Sequence, residues 1–203
     1  MGGPKALLEW NGKTFLESLL DTYQQAGVTR KIVVTFPDIV HTLRERVSTD
    51  WLEDITWVWS HPEDESFVSL LRGMSASKQF PPSAFFLGPV DQGPVPLELL
   101  ESLLKDFDPD SQSVRIPRVR GENGHPVLLG SGFVSKLYQV SEDDSILSKG
   151  YPGGLRAFIH EHCSAINEMD VPFSAVLRNL NYRSEYEAFL QHPNPINEAI
   201  SDV

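Results

Sequence analysis

The sequence predicts an α/β protein whose sheet is doubly wound and mostly parallel, with a mixed region in its second half. Two observations predict this class. In the first half, short apolar runs rich in β-branched and aromatic residues alternate with segments that repeat apolar residues at helical spacing. In the second half, residues 114–171 contain many turn residues between short apolar runs, which is typical of strands added to form a mixed sheet.

The first half divides into alternating helices and strands. Residues 14–26 place apolar side chains on one helical face, with Thr14 as the N-cap and Gly27 just beyond the end. Pro37 stops the next apolar run, and Pro96 stands at a first helical position. The predicted helices span residues 14–26, 38–47, 66–77 and 96–104, and the predicted strands span residues 31–36, 55–59 and 84–87.

The second half contains shorter elements. The predicted strands span residues 114–119, 126–129, 165–171 and 175–178, and the predicted helices span residues 132–140, 155–162 and 184–191. A turn of glycine and asparagine is expected at residues 121–124. Because no repeat or linker divides the chain, residues 1–203 are expected to form one domain, with a loose polar tail over residues 193–203.

The charge balance excludes one large class of partners. The chain has 28 acidic and 17 basic residues, a formal charge of -11, and no run of lysine or arginine. Such a surface repels polyanions on average, so no nucleic-acid partner is expected. A single small anion can still bind where a lysine or a metal ion dominates the local field.

Cysteine use and hydropathy predict the compartment. Cys163 is the single cysteine, which excludes an internal disulfide framework and fits a reducing environment. No stretch of 18 apolar residues occurs, and the N-terminus lacks the pattern of a signal peptide. We therefore expect a cytoplasmic protein without a membrane partner.

The loop after the third predicted strand carries the first candidate functional residue. Asp91 follows the apolar run 84–87, and ligands of open parallel sheets bind beyond the carboxyl ends of the strands. A carboxylate there suits Mg²⁺, which takes one or two protein oxygens and completes its shell with water and substrate phosphates. The alternative is that Asp91 only stabilises a turn or caps the next helix.

Two further positions are candidates. His125 follows the 121–124 turn, where it could orient a phosphate or simply be a half-buried structural side chain. Asn179 and Asn181 follow an apolar pair, and their amide oxygens could complete a hard-metal site or form a turn. The other histidines show no zinc spacing with Cys163, and neither a complete P-loop nor a dinucleotide-binding loop is present.

The chain opens with Met1, Gly2, Gly3, Pro4 and Lys5, a combination that could hold a phosphate. This segment resembles the end of the signature loop of the molybdenum cofactor nucleotidylyltransferases, where Met-Gly-x-Pro-Lys follows a strand and an Ala-Gly-x-Ser-x-Arg stretch. The sequence VDQGPVPLELL (90–100) is similar to the Asp-x-Pro loop and following helix of that family. The sequence GHPVLL (124–129) matches its Gly-His-Pro motif closely.

This resemblance implies a three-layer α/β/α fold of the nucleotide-diphospho-sugar transferase type. It implies a nucleotide-binding half at residues 1–110 and an acceptor-binding half at residues 111–192. Lys5 and Asp91 would be the catalytic residues, and Asp91 and Asn181 would hold Mg²⁺. Gly2, Gly3, Pro4, Lys5, Ser69 and Arg72 would bind the nucleotide, and His125 would lie near the acceptor.

The implied activity is transfer of a nucleoside monophosphate from CTP or GTP to a phosphorylated acceptor such as molybdopterin, with release of pyrophosphate. Transfer to a sugar or polyol phosphate is an alternative activity, because the same fold serves both reactions. The third hypothesis is a catalytically silent descendant of the family that binds a nucleotide or a partner protein. A homodimer would use the four tryptophans at an interface, although burial in the core also explains them.

Three departures from the family pattern bear on these expectations. Gly93 separates Asp91 from Pro94, and the late motif contains Asn179 and Asn181 where the family has acids. The strand and glycine-rich loop that precede Met-Gly-x-Pro-Lys in the family have no counterpart in the sequence. Either Met1 is an internal methionine of a longer protein, which we take as the hypothesis, or the chain folds without that strand. Loss of a central strand would leave its neighbours with unpaired backbone groups and an open apolar face.

Overall fold

The computed structural model describes residues 3–46 and 55–191. Its helices are α1 (Phe15–Gln25), α2 (Pro37–Arg46), α3 (Ser66–Ser77), α4 (Leu97–Leu104), α5 (Ser131–Val140), α6 (Asp144–Lys149), α7 (Gly154–His162) and α8 (Arg183–Gln191). Its strands are β1 (Glu9–Trp10), β2 (Lys13–Thr14), β3 (Lys31–Thr35), β4 (Ile55–Trp59), β5 (Ala84–Leu87), β6 (Ser113–Val119), β7 (Glu122–Asn123), β8 (Val127–Gly130) and β9 (Ala165–Asp170). Short 3₁₀ turns occupy Lys5–Leu7, Val90–Gln92 and Ser174–Leu177.

Helix α1 begins at the predicted N-cap. The side chain of Thr14 accepts a hydrogen bond from the backbone N–H of Glu17, and the Glu17 carboxylate accepts one from the backbone N–H of Thr14. This reciprocal capping box satisfies two donors that the helix itself leaves unpaired. The apolar face of α1 is buried, with Phe15 fully enclosed.

Strands β3 and β4 form a parallel pair, with Val33 opposite Trp57. Helix α3 packs tightly on β3, since a Cβ added at Gly73 would lie 2.9 Å from Cγ2 of Val34. The glycine therefore lets helix and strand approach closely.

A second, mixed sheet contains the other long strands. Its order is β5-β8-β6-β7, with β9 pairing in parallel on the far edge of β6. Strand β8 pairs antiparallel with both β5 and β6. The main core lies between this sheet and the helices α3, α5 and α7, around Phe67, Phe133 and Phe158. The α/β class with helices flanking a mixed sheet is confirmed.

A cleft of about 2050 Å³ is lined by the neighbouring edges of β3 and β5. Among the residues described, β3 pairs only with β4 and β5 only with β8, so each strand has one open edge. The apolar residues of these two strands, such as Val33 and Phe86, are half-buried rather than enclosed. We call this cleft, with its two open strand edges, the open slot between β3 and β5.

Some local predictions are wrong. Residues 175–178 were predicted as a strand, but residues 175–177 lie in the 3₁₀ turn Ser174–Leu177 and Arg178 follows it. Ala175 and Val176 are buried there without a strand partner among the described residues. The hairpin of β1 and β2, the helix α6 and the short strand β7 within the predicted turn were not predicted. The end of the second predicted helix at Val47, Trp51 and the tail beyond residue 191 lie outside the described residues. In the described part of the chain, no helix has the length and apolarity needed to cross a membrane.

Candidate active site

The side chains of Lys5, Asp91 and Asn181 meet at one point although they are far apart in sequence. The Lys5 ammonium donates to Oδ2 of Asp91 at 2.8 Å and to Oδ1 of Asn181 at 2.5 Å. The side chains of Lys5 and Asp91 retain 28% and 24% of their accessible surface, so the cluster is open to solvent. The structure therefore brings together three of the residues singled out in the sequence.

The position of Asp91 follows from the end of β5. The chain leaves β5 through Gly88 and Pro89 into the 3₁₀ turn Val90–Gln92, which holds Asp91 beyond the carboxyl end of the strand. Gly93 then adopts φ +68°, and a Cβ there would lie 3.1 Å from the ring of Phe15. Glycine is required at this position for both reasons.

Asn181 reaches the cluster from the loop before α8. The backbone N–H of Leu180 donates to the carbonyl of Asp91 at 3.0 Å, which joins the two loops directly. The Glu185 carboxylate accepts from the backbone N–H groups of Asn181 and Tyr182 at 2.6 and 2.8 Å. These bonds fix the start of α8 and with it the loop that carries Asn181.

The geometry fits a hard cation shared with a substrate. A carboxylate oxygen and an amide oxygen converge on the positive charge of Lys5, and both are oxygen types that Mg²⁺ accepts. Within residues 3–46 and 55–191, no group of three or more His, Cys, Asp or Glu side chains could hold a metal by itself. The donor set thus suits an ion whose remaining ligands come from water and phosphates.

His125 lies next to the loop that carries Asp91. Its carbonyl accepts from the Gln92 side chain, and its backbone N–H donates to the carbonyl of Val176 at 2.9 Å. Burial lowers the pKa of the His125 imidazole, while the Leu87 backbone and the Asp91 charge act in the opposite direction. Its buried Nδ1 has no hydrogen-bond partner among the described residues, and the side chain lines the cleft.

Ser69 and Arg72 lie on α3, near the carboxyl end of β4. The Arg72 guanidinium donates through Nε and Nη2 to the Asp64 carboxylate at 2.7 and 3.2 Å. The hydroxyls of Ser69 and Ser60 lie 2.6 Å apart, and Ser60 donates to Asp64 at 2.9 Å. The bond from Arg72 holds the pKa of the Asp64 carboxyl well below its usual range. Ser69 and Asp64 line the cleft, and the structure does not bring Arg72 into contact with Lys5 or Asp91.

The opening segment is described only in part. Gly2 lies outside the described residues. Gly3 is exposed, with no atom within 4 Å of the place where a Cβ would stand, and Pro4 precedes the turn Lys5–Leu7 with extended backbone. Ala6 and Leu7 of that turn pack against a buried apolar cluster that includes Leu16 and Leu20, while Lys5 reaches Asp91 in the loop after β5.

Sequence reasoning missed three residues that shape this region. Asp64 holds Arg72, Gln92 is fully buried with its amide donating to two carbonyls, and Arg178 donates to carbonyls of the Asp91 loop. Only their tertiary partners reveal these roles, since each is an isolated polar residue in a loop. The one sequence signal was the position of Arg178 directly before Asn179.

The profile of the MobA-like NTP transferase domain matches residues 1–166. The chain belongs to this family. No curated protein is significantly similar to it in sequence. Nucleotidyl transfer is therefore the general class of chemistry for this MobA-like domain.

Solved structures support the same fold. Rv0371c of Mycobacterium tuberculosis has a TM-score of 0.71 at 21% identity, covering 94% of this chain and 90% of that one. A second structure of Rv0371c is a complex with manganese. The 4-diphosphocytidyl-2C-methyl-D-erythritol synthase of Anaerococcus prevotii has a TM-score of 0.68 at 13% identity, with coverage of 93% and 92%. The molybdopterin-guanine dinucleotide biosynthesis protein A of Archaeoglobus fulgidus has a TM-score of 0.57 at 16% identity, with coverage of 92% and 89%.

Proposed function

We propose that this MobA-like domain is a Mg²⁺-dependent nucleotidyltransferase that uses CTP or GTP and a phosphorylated acceptor such as molybdopterin. A phosphate oxygen of the acceptor attacks the α-phosphorus of the triphosphate. The bond from that phosphorus to the oxygen bridging the α and β positions breaks, and pyrophosphate leaves with the bonding electrons. No protein nucleophile is needed for this step, so positioning and charge neutralisation carry the catalysis.

The observation that carries this proposal is the meeting of Lys5, Asp91 and Asn181 beyond the carboxyl end of β5. The three residues come from the opening turn, the loop after β5 and the loop before α8. A carboxylate and an amide oxygen beside a mobile ammonium form a site that suits a metal ion bound to a polyphosphate.

Lys5 is the residue that responds to the substrate. Its ammonium forms an ion pair with Asp91. On binding of a triphosphate with its metal, the ammonium would turn to the phosphate oxygens, and the oxygens of Asp91 and Asn181 would hold the metal. The Mg²⁺ held by Asp91 and Asn181 would supply further positive charge to the phosphates.

The remaining residues are assigned from the family resemblance. The nucleotide would lie along the opening segment, Gly2 to Lys5, and extend toward Ser69 and Arg72 at the rim of β4. The acceptor would lie near His125, whose unpartnered Nδ1 can bond to a phosphate or to an acceptor hydroxyl. A cytoplasmic location and a homodimer complete the proposal.

The test is nucleotide-dependent metal binding followed by product formation. Calorimetric titration of CTP, GTP and ATP with and without Mg²⁺ identifies the base, and pyrophosphate release is then measured with molybdopterin and with sugar or polyol phosphates.

Asp91→Asn should weaken Mg²⁺-dependent binding by about ten-fold or more. Glu98→Gln, an exposed acid on α4, is the matched control and should bind as the wild type. Equal affinity of Asp91→Asn and wild type would remove Asp91 from the site.

Two alternatives have specific support. The likeness to the diphosphocytidyl-methylerythritol synthase favours a polyol phosphate as acceptor, which the acceptor panel decides. The neutral Asn181 and the open slot between β3 and β5 favour a descendant that binds nucleotide without turnover. Nucleotide binding without pyrophosphate release on any acceptor would support this second alternative.

A further inference from the structure

We infer that Arg178 is a positioning residue that sets the spacing between Asp91 and Asn181, and thereby the metal affinity of the proposed site. This inference rests on the proposed function, because it concerns the same two oxygen ligands. It assigns a role to a side chain that does not itself touch Lys5, Asp91 or Asn181 in the bonds described above.

Arg178 ties the two loops together. Its Nη1 donates to the carbonyl of Gln92 at 3.0 Å and to the carbonyl of Pro94 at 2.8 Å. These carbonyls flank Gly93 in the loop that carries Asp91, while Arg178 itself stands three residues before Asn181. One guanidinium group therefore holds the loop of one ligand against the loop of the other.

The guanidinium of Arg178 packs on the face of an aromatic ring. Its central carbon lies 4.7 Å from the centre of the Phe189 ring, on α8. Phe189 in turn packs edge-on against Phe15, the residue that also contacts Gly93. Arg178 thus lies between the Asp91 loop and the packed rings of Phe189 and Phe15, and we expect this packing to restrict movement of the Arg178 side chain and of the loop.

The cation remains charged at neutral pH. Burial lowers the pKa of Arg178 to about 10, which still leaves the group protonated. A charged donor makes stronger hydrogen bonds to carbonyl oxygens than a neutral one. The loop of Asp91 is consequently held by charge-assisted bonds, in addition to the single backbone bond from Leu180.

Outer partners that orient metal ligands commonly change metal affinity by 10- to 100-fold when they are removed. We therefore expect Arg178→Met to weaken Mn²⁺ binding by about ten-fold or more. Arg178→Lys keeps the charge but cannot present the planar fork, and it should fall between wild type and Arg178→Met. Arg183→Met is the matched control, since Arg183 is exposed and pairs only with Glu187 in the bonds described.

Mn²⁺ binding is measured by loss of the electron paramagnetic resonance signal of free Mn²⁺ with the protein alone. With CTP or GTP added, the loss caused by the nucleotide in a protein-free sample is subtracted. The free energy of unfolding of each variant is measured in parallel. A purely structural role would lower this free energy and leave the Mn²⁺ affinity of the folded variant unchanged, which overturns the inference.

If Arg178→Met does not fold, Arg178→Lys decides: weaker Mn²⁺ binding than wild type supports the inference, and wild-type affinity overturns it. Wild-type protein that binds no Mn²⁺ with either nucleotide overturns the proposed function and this inference together. Normal binding by wild type with unchanged affinity in the folded Arg178 variants overturns the inference alone.

Discussion

The ammonium of Lys5 donates to Oδ2 of Asp91 at 2.8 Å, and it occupies the point on which the two candidate metal ligands converge. A cation of the protein therefore stands where a cation of the substrate complex is proposed to bind. If the proposed function is correct, the same lysine should compete with the metal alone and assist binding of the metal together with a triphosphate.

Lys5→Met separates these two effects. Without the ammonium, Mn²⁺ alone should bind more tightly, by up to about five-fold, because a partly exposed ion pair of this kind contributes little. Binding of the triphosphate should weaken by about ten-fold, because a charged hydrogen bond to phosphate is lost. Calorimetric titration of Mn²⁺ and of CTP or GTP measures both. Weaker binding of Mn²⁺ alone would contradict the proposed competition.

The half-buried His125 predicts a pH dependence of stability. Burial lowers its pKa below the usual 6.5, so the unfolded chain takes up a proton at a higher pH than the folded chain does. Above pH 6.5 protonation of His125 therefore does not change the free energy of unfolding. As the pH falls below that value, protonation favours the unfolded chain and lowers the free energy of unfolding. His125→Gln should lose less free energy of unfolding than wild type between about pH 7.5 and about pH 5.5, measured by urea unfolding.

If His125→Gln keeps the pH dependence of wild type, burial of the His125 imidazole is not its source.

Gly124 is predicted to accept no side chain. A Cβ at this position would lie 2.2 Å from the carbonyl oxygen of Val176, which is backbone and cannot move aside. Gly124→Ala should lower the free energy of unfolding by about 2 kcal/mol, measured by chemical denaturation. Gly3→Ala, at an exposed position with open space, should have almost no effect. Equal stability of the two variants would contradict the close approach.

The open edges of β3 and β5 predict that an added strand stabilises the protein. A five-residue strand of valine and leucine, fused ahead of Met1 through a glycine linker, should raise the free energy of unfolding by about 2 kcal/mol as edge groups gain partners. Hydrogen exchange should slow at residues of β3 and β5. A matched strand with two prolines, which cannot donate the required bonds, should do neither. Equal exchange in both fusions would show that the slot does not accept a strand.

Much of the architecture could be predicted because it depends on local pattern. The apolar runs 31–36 and 84–87, stopped by proline and glycine, gave strands near their predicted bounds. The Thr14 cap could be predicted for the same reason. The strand predicted at 175–178 is wrong because Ala175 and Val176 are buried by tertiary packing in a 3₁₀ turn, which local apolarity does not distinguish from a strand.

The sequence by itself determined the alternation of strands and helices, the family resemblance and the candidate residues Lys5, Asp91 and Asn181. Asp91 and Asn181 lie 86 and 176 positions after Lys5 in the sequence, and no local pattern relates them. Only the tertiary structure therefore decided that the three side chains meet. It also decided that Arg72 is bound to Asp64 and that Arg178 joins the two loops. Hydrogen bonds between distant loops depend on how the elements pack, and that packing is a property of the whole fold.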